Sequence, residues 1–161
     1  MTINVSLVDY HNSRQAQLLI ELLDSYAQDP MGGGEPLSAN VKQNLIDKLQ
    51  ELPYAFSFIC YQDEKPVGLV NCIEGFSTFA CKPVLNIHDL VVVSQARGQG
   101  ICDKMLSFVE QWAKERGVCK LTMEVLEGNT VAQKAYIKAG FSGYELDPKM
   151  GKAMFWEKKI K

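Results

Sequence analysis

The sequence lacks several features that would assign it to particular classes of protein. Its 17 Lys and Arg do not outnumber its 19 Asp and Glu, so it lacks the basic excess that binding to nucleic-acid phosphates requires. No apolar run approaches the roughly 18 residues of a membrane-spanning helix. Residues 1–9 contain no basic segment followed by an apolar one, as a signal peptide would, and this predicts a cytoplasmic location.

Cysteine, glycine and proline are also few or unfavourably spaced for special architectures. The five cysteines are odd in number and form no C-x-x-C pair, so neither a metal site nor a disulfide framework is predicted. Only 12 Gly and 6 Pro occur among 161 residues, which excludes a low-complexity chain. With 47% hydrophobic residues, the chain is predicted to form one globular domain over residues 1–161.

Hydrophobic periodicity predicts a mixed α/β fold. Helical spacing of apolar residues predicts helices that begin near Ser13, after Ser38, after Gly100 and at Asn129. Alternating or β-branched runs predict strands over residues 3–7, 54–61, 67–73, 85–93, 120–125, 141–146 and 153–160. Residues 29–36, with three Gly and two Pro, predict a loop without regular structure.

A glycine turn between a predicted strand and a predicted helix is the first candidate for a binding site. Arg97-Gly98-Gln99-Gly100-Ile101-Cys102 precedes the helix, where free main-chain N–H groups and the helix dipole favour a phosphate or pyrophosphate. The turn has no Gly-Lys-Ser/Thr ending of a P-loop and no G-x-G-x-x-G of a dinucleotide fold. A purely structural tight turn is the alternative interpretation.

Three segments together carry a resemblance to a known family. They are residues 89–93, residues 96–101, and Asn129 to Tyr136 ahead of Ala139-Gly140-Phe141. In order and spacing they resemble the GNAT superfamily of N-acetyltransferases, from about residue 55 to the end of the chain. The resemblance implies a mostly antiparallel central sheet flanked by helices. It also implies acetyl-CoA as cosubstrate, without a metal, and attack by a primary amine on the thioester in a ternary complex.

The resemblance also implies which residues bind the cofactor. Main-chain groups of the turn would bind the pyrophosphate, and those of the preceding strand would pair with the pantetheine arm. Asn129 and Ala132, at the start of the following helix, would contact the same cofactor, although Asn129 also suits a plain helix cap. Cys102 replaces the usual Gly or Ala, so we expect weaker or displaced pyrophosphate packing. The implied residues are Leu90, Val91, Val92, Arg97, Gly98, Gln99, Gly100, Ile101, Cys102 and Asp103.

The resemblance places Tyr136 beside the acetyl-CoA sulfur, as the acid that protonates the leaving thiolate; a half-buried structural tyrosine is the alternative. His88 and Asp89 are candidates for the base that deprotonates the amine, and they alternate across the strand. His88 shares its side with Leu90 and Val92, and its ordinary pKa suits a base. Residues 76–79 resemble polyamine acetyltransferases, in which an acidic residue occupies the position of His88. Glu124 is a third candidate.

The acceptor and the assembly are less constrained. Asp24, Asp29 and Glu35, near the loop, are candidates to meet a cationic amine, with solvated surface carboxylates as the alternative. A small-molecule amine is the expected partner, and a homodimer is left open. Competing interpretations are a non-catalytic acetyl-CoA sensor, acetylation of a protein N-terminus or lysine, and a phosphotransferase. The last would need a lysine and a magnesium-binding hydroxyl that the turn lacks.

Overall fold

A computed structural model describes residues 1–160 of the chain. Short 3₁₀ turns occupy residues 30–32, 94–96 and 148–150. No helix in this range is long and apolar enough to cross a bilayer. The strands and helices are β1 (Ile3–Leu7), α1 (Ser13–Gln28), α2 (Ala39–Glu51), β2 (Ala55–Gln62), β3 (Lys65–Ser77), β4 (Lys82–Val92), α3 (Ile101–Glu115), β5 (Leu121–Met123) and α4 (Thr130–Lys138).

Helix starts follow the capping residues that the sequence predicts. The Asn12 side chain accepts hydrogen bonds from the main-chain N–H groups of Arg14 and Gln15, and Ser38 caps α2 in the same way. Each cap satisfies N–H groups that have no partner within the helix. The predicted starts of α1 and α2 are therefore confirmed.

The five strands form one sheet in the order β1-β2-β3-β4-β5. The first three pairings are antiparallel, and β5 runs parallel to β4. This mostly antiparallel sheet with flanking helices confirms the predicted fold class. Its parallel pairing is short, because β5 matches β4 only from Leu85 to Ile87.

Helices cover both faces of the sheet. On one face α3 packs against Phe58, Val70 and Leu85, which belong to the larger of two buried clusters. On the other face α1 packs against Ile59, Leu69 and Val91, and side chains of α2 pack against the same cluster. The two faces are called the α3 face and the α1 face below.

A bulge in β4 interrupts the regular alternation of side chains. Asn71 of β3 pairs with Asp89 and Cys72 pairs with Ile87, so His88 has no partner. Consequently Ile87 before the bulge and Leu90 after it both pack towards the α3 face, whereas strict alternation would separate them. The bulge therefore decides that Asp89 lies on the α1 face, in step with Val91.

Two expectations about secondary structure are wrong. The predicted strands over residues 141–146 and 153–160 are absent from the described chain, which has only one bridge there, between Glu145 and Lys152. A strand needs a paired edge, and this segment turns its apolar side chains outwards, with Trp156 81% exposed. The loop over residues 29–36 does contain regular structure, because Asp29 caps a 3₁₀ turn over Pro30–Gly32.

Candidate active site

Two glycines shape the turn between β4 and α3. Gly98 and Gly100 have φ of 76° and 79°, in the left-handed region that other residues adopt only with strain. A Cβ added at either position would meet nothing within 4 Å, so the space in front of the turn is open. Gly100 caps α3 without a side-chain hydrogen bond, which leaves the first N–H groups of the helix free for an anion. The turn thus fits a pyrophosphate group.

Side chains of the turn are held by protein partners. The Arg97 Nε donates to the carbonyl of Val92 at 3.1 Å, and its guanidinium pairs with Asp29 Oδ2 at 2.7 Å. Gln99 donates to the carbonyl of Gln95 and accepts from Gln62. These bonds fix the turn, and the main chain of Gly98 and Gly100 faces the open space.

An unpaired edge of β4 begins where β5 ends. Beyond Ile87, β4 has no strand partner on its β5 side within the described chain. Because Val93 donates to Val67 on β3, ladder alternation aims the main-chain groups of Leu90 and Val92 towards the free edge. The Val92 carbonyl accepts from Arg97 there, so the open groups are those of Leu90 and the N–H of Val92. Val91 instead faces β3 with its main chain and is buried in the core. This edge can accept an amide-rich arm as an added strand.

An ion pair joins the start of α3 to α4, and α4 has a side-chain cap of its own. Asn129 accepts from the Ala132 N–H at 3.2 Å, so its capping role is present in the structure. Asp103 forms an ion pair with Lys138, which neutralises a carboxylate next to the turn. Burial raises the pKa of the Cys102 thiol to about 11, so this side chain is neutral at ordinary pH and does not repel an anion.

Tyr136 lies half-buried on α4 beside the same opening. Its ring packs edge-on against Phe141, with centroids 6.3 Å apart. Burial raises the pKa of Tyr136 to about 12, with smaller contributions from Cys102 and Tyr26. Side chains of α1, α3 and α4 therefore converge here. Since thiols are stronger acids than such a phenol, this hydroxyl suits hydrogen-bond donation to a thiolate better than complete proton transfer.

The three candidate bases lie in different surroundings. His88 is exposed at the bulge, and its Nδ1 lies 3.3 Å from Asn86 Oδ1. Glu124 is exposed just after β5. Asp89 is half-buried on the α1 face, where its carboxylate accepts from Asn71 Nδ2 at 3.0 Å. Of the three, Asp89 has the best-defined orientation.

A cavity of about 300 Å³ lies between α1 and the end of β4. Tyr26, Asp29, Val92 and Arg97 are among its lining residues. The guanidinium of Arg97, hydrogen-bonded to Asp29, holds the pKa of this carboxyl below its usual value. One ion pair therefore joins this cavity to the glycine turn.

The other two acidic candidates for amine binding lie outside this cavity. Asp24 is engaged by Lys42 at 2.9 Å and by the Leu37 N–H at 2.8 Å. Glu35 is exposed. Asp29 is therefore the acidic residue of this group that lines the cavity.

A larger cavity of about 670 Å³ lies elsewhere, between α3 and the end of α4. Leu106, Ala113, Leu121 and Phe141 line it, together with residues next to the exposed C-terminal segment. Residues 97–102 are not part of its lining. Asp103, one of the residues implied for cofactor binding, does line it, so this cavity extends to the first turn of α3.

Three residues near the site were not predicted from the sequence. Tyr26 belongs to the apolar stripe of α1, and Ser57 and Asn71 lie within predicted strands, so none of them is a site candidate from the sequence alone. A signal was available for the last two, because each is the one polar residue within an apolar stretch, residues 55–60 and 67–73.

Comparisons with known proteins identify the family of the chain. The Acetyltransferase (GNAT) family matches residues 16–141. The uncharacterized N-acetyltransferase YobR of Bacillus subtilis is 25% identical over 120 residues, which are 74% of this chain and 44% of that protein. A streptothricin acetyltransferase of Escherichia coli is 28% identical over 106 residues, 60% of each chain. The alignments thus span less than two thirds of these relatives' length.

Solved structures share the whole fold. An aminoglycoside acetyltransferase from an uncultured soil metagenomic sample superposes with a TM-score of 0.80 at 18% identity, covering 99% of this chain and 97% of that one. A probable acetyltransferase gives a TM-score of 0.79 at 21% identity, with all of both chains covered. At these identities the likeness concerns the fold, whereas the family match covers most of the sequence. The chain therefore belongs to the Acetyltransferase (GNAT) family.

Proposed function

We propose that this protein is an acetyl-CoA-dependent N-acetyltransferase that acts on a primary amine of a small molecule. The observation that carries the proposal is the free edge of β4 next to the open glycine turn. A strand-like amide arm and a pyrophosphate need such neighbouring sites. When bound, acetyl-CoA supplies a thioester carbon as the electrophile.

The residues have separable roles in this proposal. Main-chain N–H groups of Ile101 and Cys102 bind the pyrophosphate, and the β4 edge at Leu90 and Val92 orients the pantetheine arm. Asp89 accepts the proton that an ammonium acceptor must lose before it attacks, because it is the oriented carboxylate on the α1 face. Tyr136 donates a hydrogen bond to the sulfur as charge develops there.

Support for a small acceptor comes from the site and from relatives. The cavity beside α1 has room for an amine-bearing group, and the ion pair of Asp29 with Arg97 forms part of its wall. Two of the similar proteins are described as acetyltransferases for streptothricin and for aminoglycosides. All five cysteines are free thiols, which fits the proposed cytoplasmic location.

Release of free thiol from acetyl-CoA tests the proposal directly. The wild type is assayed with polyamines, amino acids, aminoglycosides and peptides that carry a free N-terminus or lysine. We expect turnover with at least one small amine, slower in Asp89→Asn and Tyr136→Phe. Turnover only with peptides would show that the acceptor is an amine of a protein rather than of a small molecule. Binding of acetyl-CoA without turnover of any amine would favour a sensor.

A further inference from the structure

A row of polar side chains crosses the α1 face of the sheet and ends at Asp89. Tyr10 Oη lies 2.8 Å from Ser57 Oγ, and Ser57 Oγ lies 2.6 Å from Asn71 Oδ1. Asn71 Nδ2 completes the row 3.0 Å from Asp89 Oδ2. Ser57 is only 1% exposed, and it is the polar residue among otherwise apolar buried side chains of the described chain. A buried hydroxyl at this place requires an explanation.

The sheet register builds this row. Ser57 is the direct partner of Asn71, and Asn71 is the direct partner of Asp89. Directly opposed side chains point to the same face and lie within contact distance. The bulge at His88 then brings Asp89 into line with the other two.

The donors in the row all point the same way. An ionised carboxylate only accepts, so Asn71 must present its NH₂ group to Asp89 and its oxygen to Ser57. Ser57 has one proton, which it donates to that oxygen, and Tyr10 in turn donates to Ser57. Hydrogen bonds in such a chain polarise one another, and the last one is directed at the charge.

We propose that Ser57 and Asn71, anchored by Tyr10, are positioning residues that hold the Asp89 carboxylate in the orientation that accepts the proton of the amine. This inference rests on the proposed function, because Asp89 needs orientation only if it accepts a proton. Ser57 cannot touch a substrate, since it is buried in the sheet. Its effect on turnover would have to pass through Asn71.

Other titratable groups face Asp89 without supplying a positive charge. Tyr26 reaches it from α1, and burial, together with Asp89 and Asp29, raises the pKa of that phenol. Cys72 lies behind it on β3, and burial raises the pKa of that thiol to about 12. The neighbouring His88 is exposed, and Arg97 is engaged by Asp29. The row therefore contributes oriented donors that these neighbours do not replace.

The test is Ser57→Ala, which removes the hydroxyl from the middle of the row. We expect kcat to fall by about tenfold, with the acetyl-CoA KM within about twofold of wild type. The acid limb of the pH–rate profile should move to higher pH: without Ser57 the Asn71 amide is no longer held, it donates less well to Asp89, and the carboxylate is then protonated more easily. Tyr10→Phe should act in the same direction but less, and Ser57→Thr, which keeps the hydroxyl, should restore the limb.

A matched control separates positioning from packing. Ile59→Val removes one methyl group from the same strand and face, two residues from Ser57, without touching the row. It should leave the limb and kcat unchanged. The proposal would be overturned if the acid limb of the pH–rate profile does not move in folded Ser57→Ala, or if Ile59→Val lowers kcat as much as Ser57→Ala does.

Failure of the proposed function gives a different result. If Asp89→Asn keeps full turnover while Tyr136→Phe loses it, the chain is still an acetyltransferase, but the positioning proposal is wrong. If no amine is acetylated, the proposal is tested without substrate, by NMR titration of the ¹³C-labelled Asp89 carboxylate. The pH midpoint of this titration should be higher in Ser57→Ala than in wild type. Equal midpoints would overturn the positioning proposal.

Discussion

The most direct test of the cofactor site is a valine at Gly100. This glycine caps α3 with φ of 79°, and an added Cβ would extend into open space rather than into protein. The substitution therefore creates no clash in the free protein. It does place a branched side chain where we expect the pyrophosphate to approach the first N–H groups of the helix.

The expected cost divides into a folding part and a binding part. Holding an L residue in the left-handed region costs at least about 1–2 kcal/mol, and more for a β-branched one. For a chain of this size each 1 kcal/mol lowers Tm by about 2–4 °C. Gly117, at the other end of α3, has φ of 75° and equally open space around it. Gly117→Val should thus incur the same folding cost without affecting the turn.

Calorimetric titration with acetyl-CoA and thermal unfolding are measured on both variants. We expect similar losses in Tm, a rise of at least about tenfold in Kd for Gly100→Val, or about 1.4 kcal/mol, and a change below about twofold for Gly117→Val. Equal affinities in the two folded variants would refute the assignment of the glycine turn to the pyrophosphate.

Three further predictions concern catalysis, acid stability and the core. Tyr136→Phe removes one hydrogen bond to the developing thiolate, so it should lower kcat by about 10²–10³-fold in steady-state thiol release without changing acetyl-CoA affinity. A drop below about threefold would leave Tyr136 a structural role. Arg97 holds the pKa of Asp29 below its ordinary value of about 3.9. The pair therefore stabilises the fold fully at pH above that value, and the contribution disappears as the pH falls through the lower pKa of the folded state. The advantage of wild type over Asp29→Asn in Tm should therefore be constant near neutrality and shrink in acid; an advantage undiminished at about pH 2 would contradict this. Phe58 is fully buried and meets Trp112 edge-on at 5.2 Å, so Phe58→Ala should cost about 3–5 kcal/mol in urea unfolding, and a loss below about 1 kcal/mol would show that the core closes over the gap.

Local features were predictable because their causes are local. Asn12 caps α1 through N–H groups two and three residues away, and Gly100 ends its turn through its own backbone angles. The stripes of apolar residues that bury α1 and α3 follow from a helical period that is visible in the sequence. The strand–glycine turn–helix unit, together with the motif order, was also enough to indicate the family.

What the sequence by itself determined was thus the helices with their caps, the five strands of the sheet and the glycine turn. Only the tertiary structure decided that β4 bulges at His88, that β5 leaves β4 after Ile87, and that residues 153–160 form no strand. It also aligned Ser57, Asn71 and Asp89, which are separated by 14 and 18 residues along the chain. The reason is physical: register and bulges are set by hydrogen bonds between distant strands, and a shift of one residue moves a side chain to the other face of the sheet.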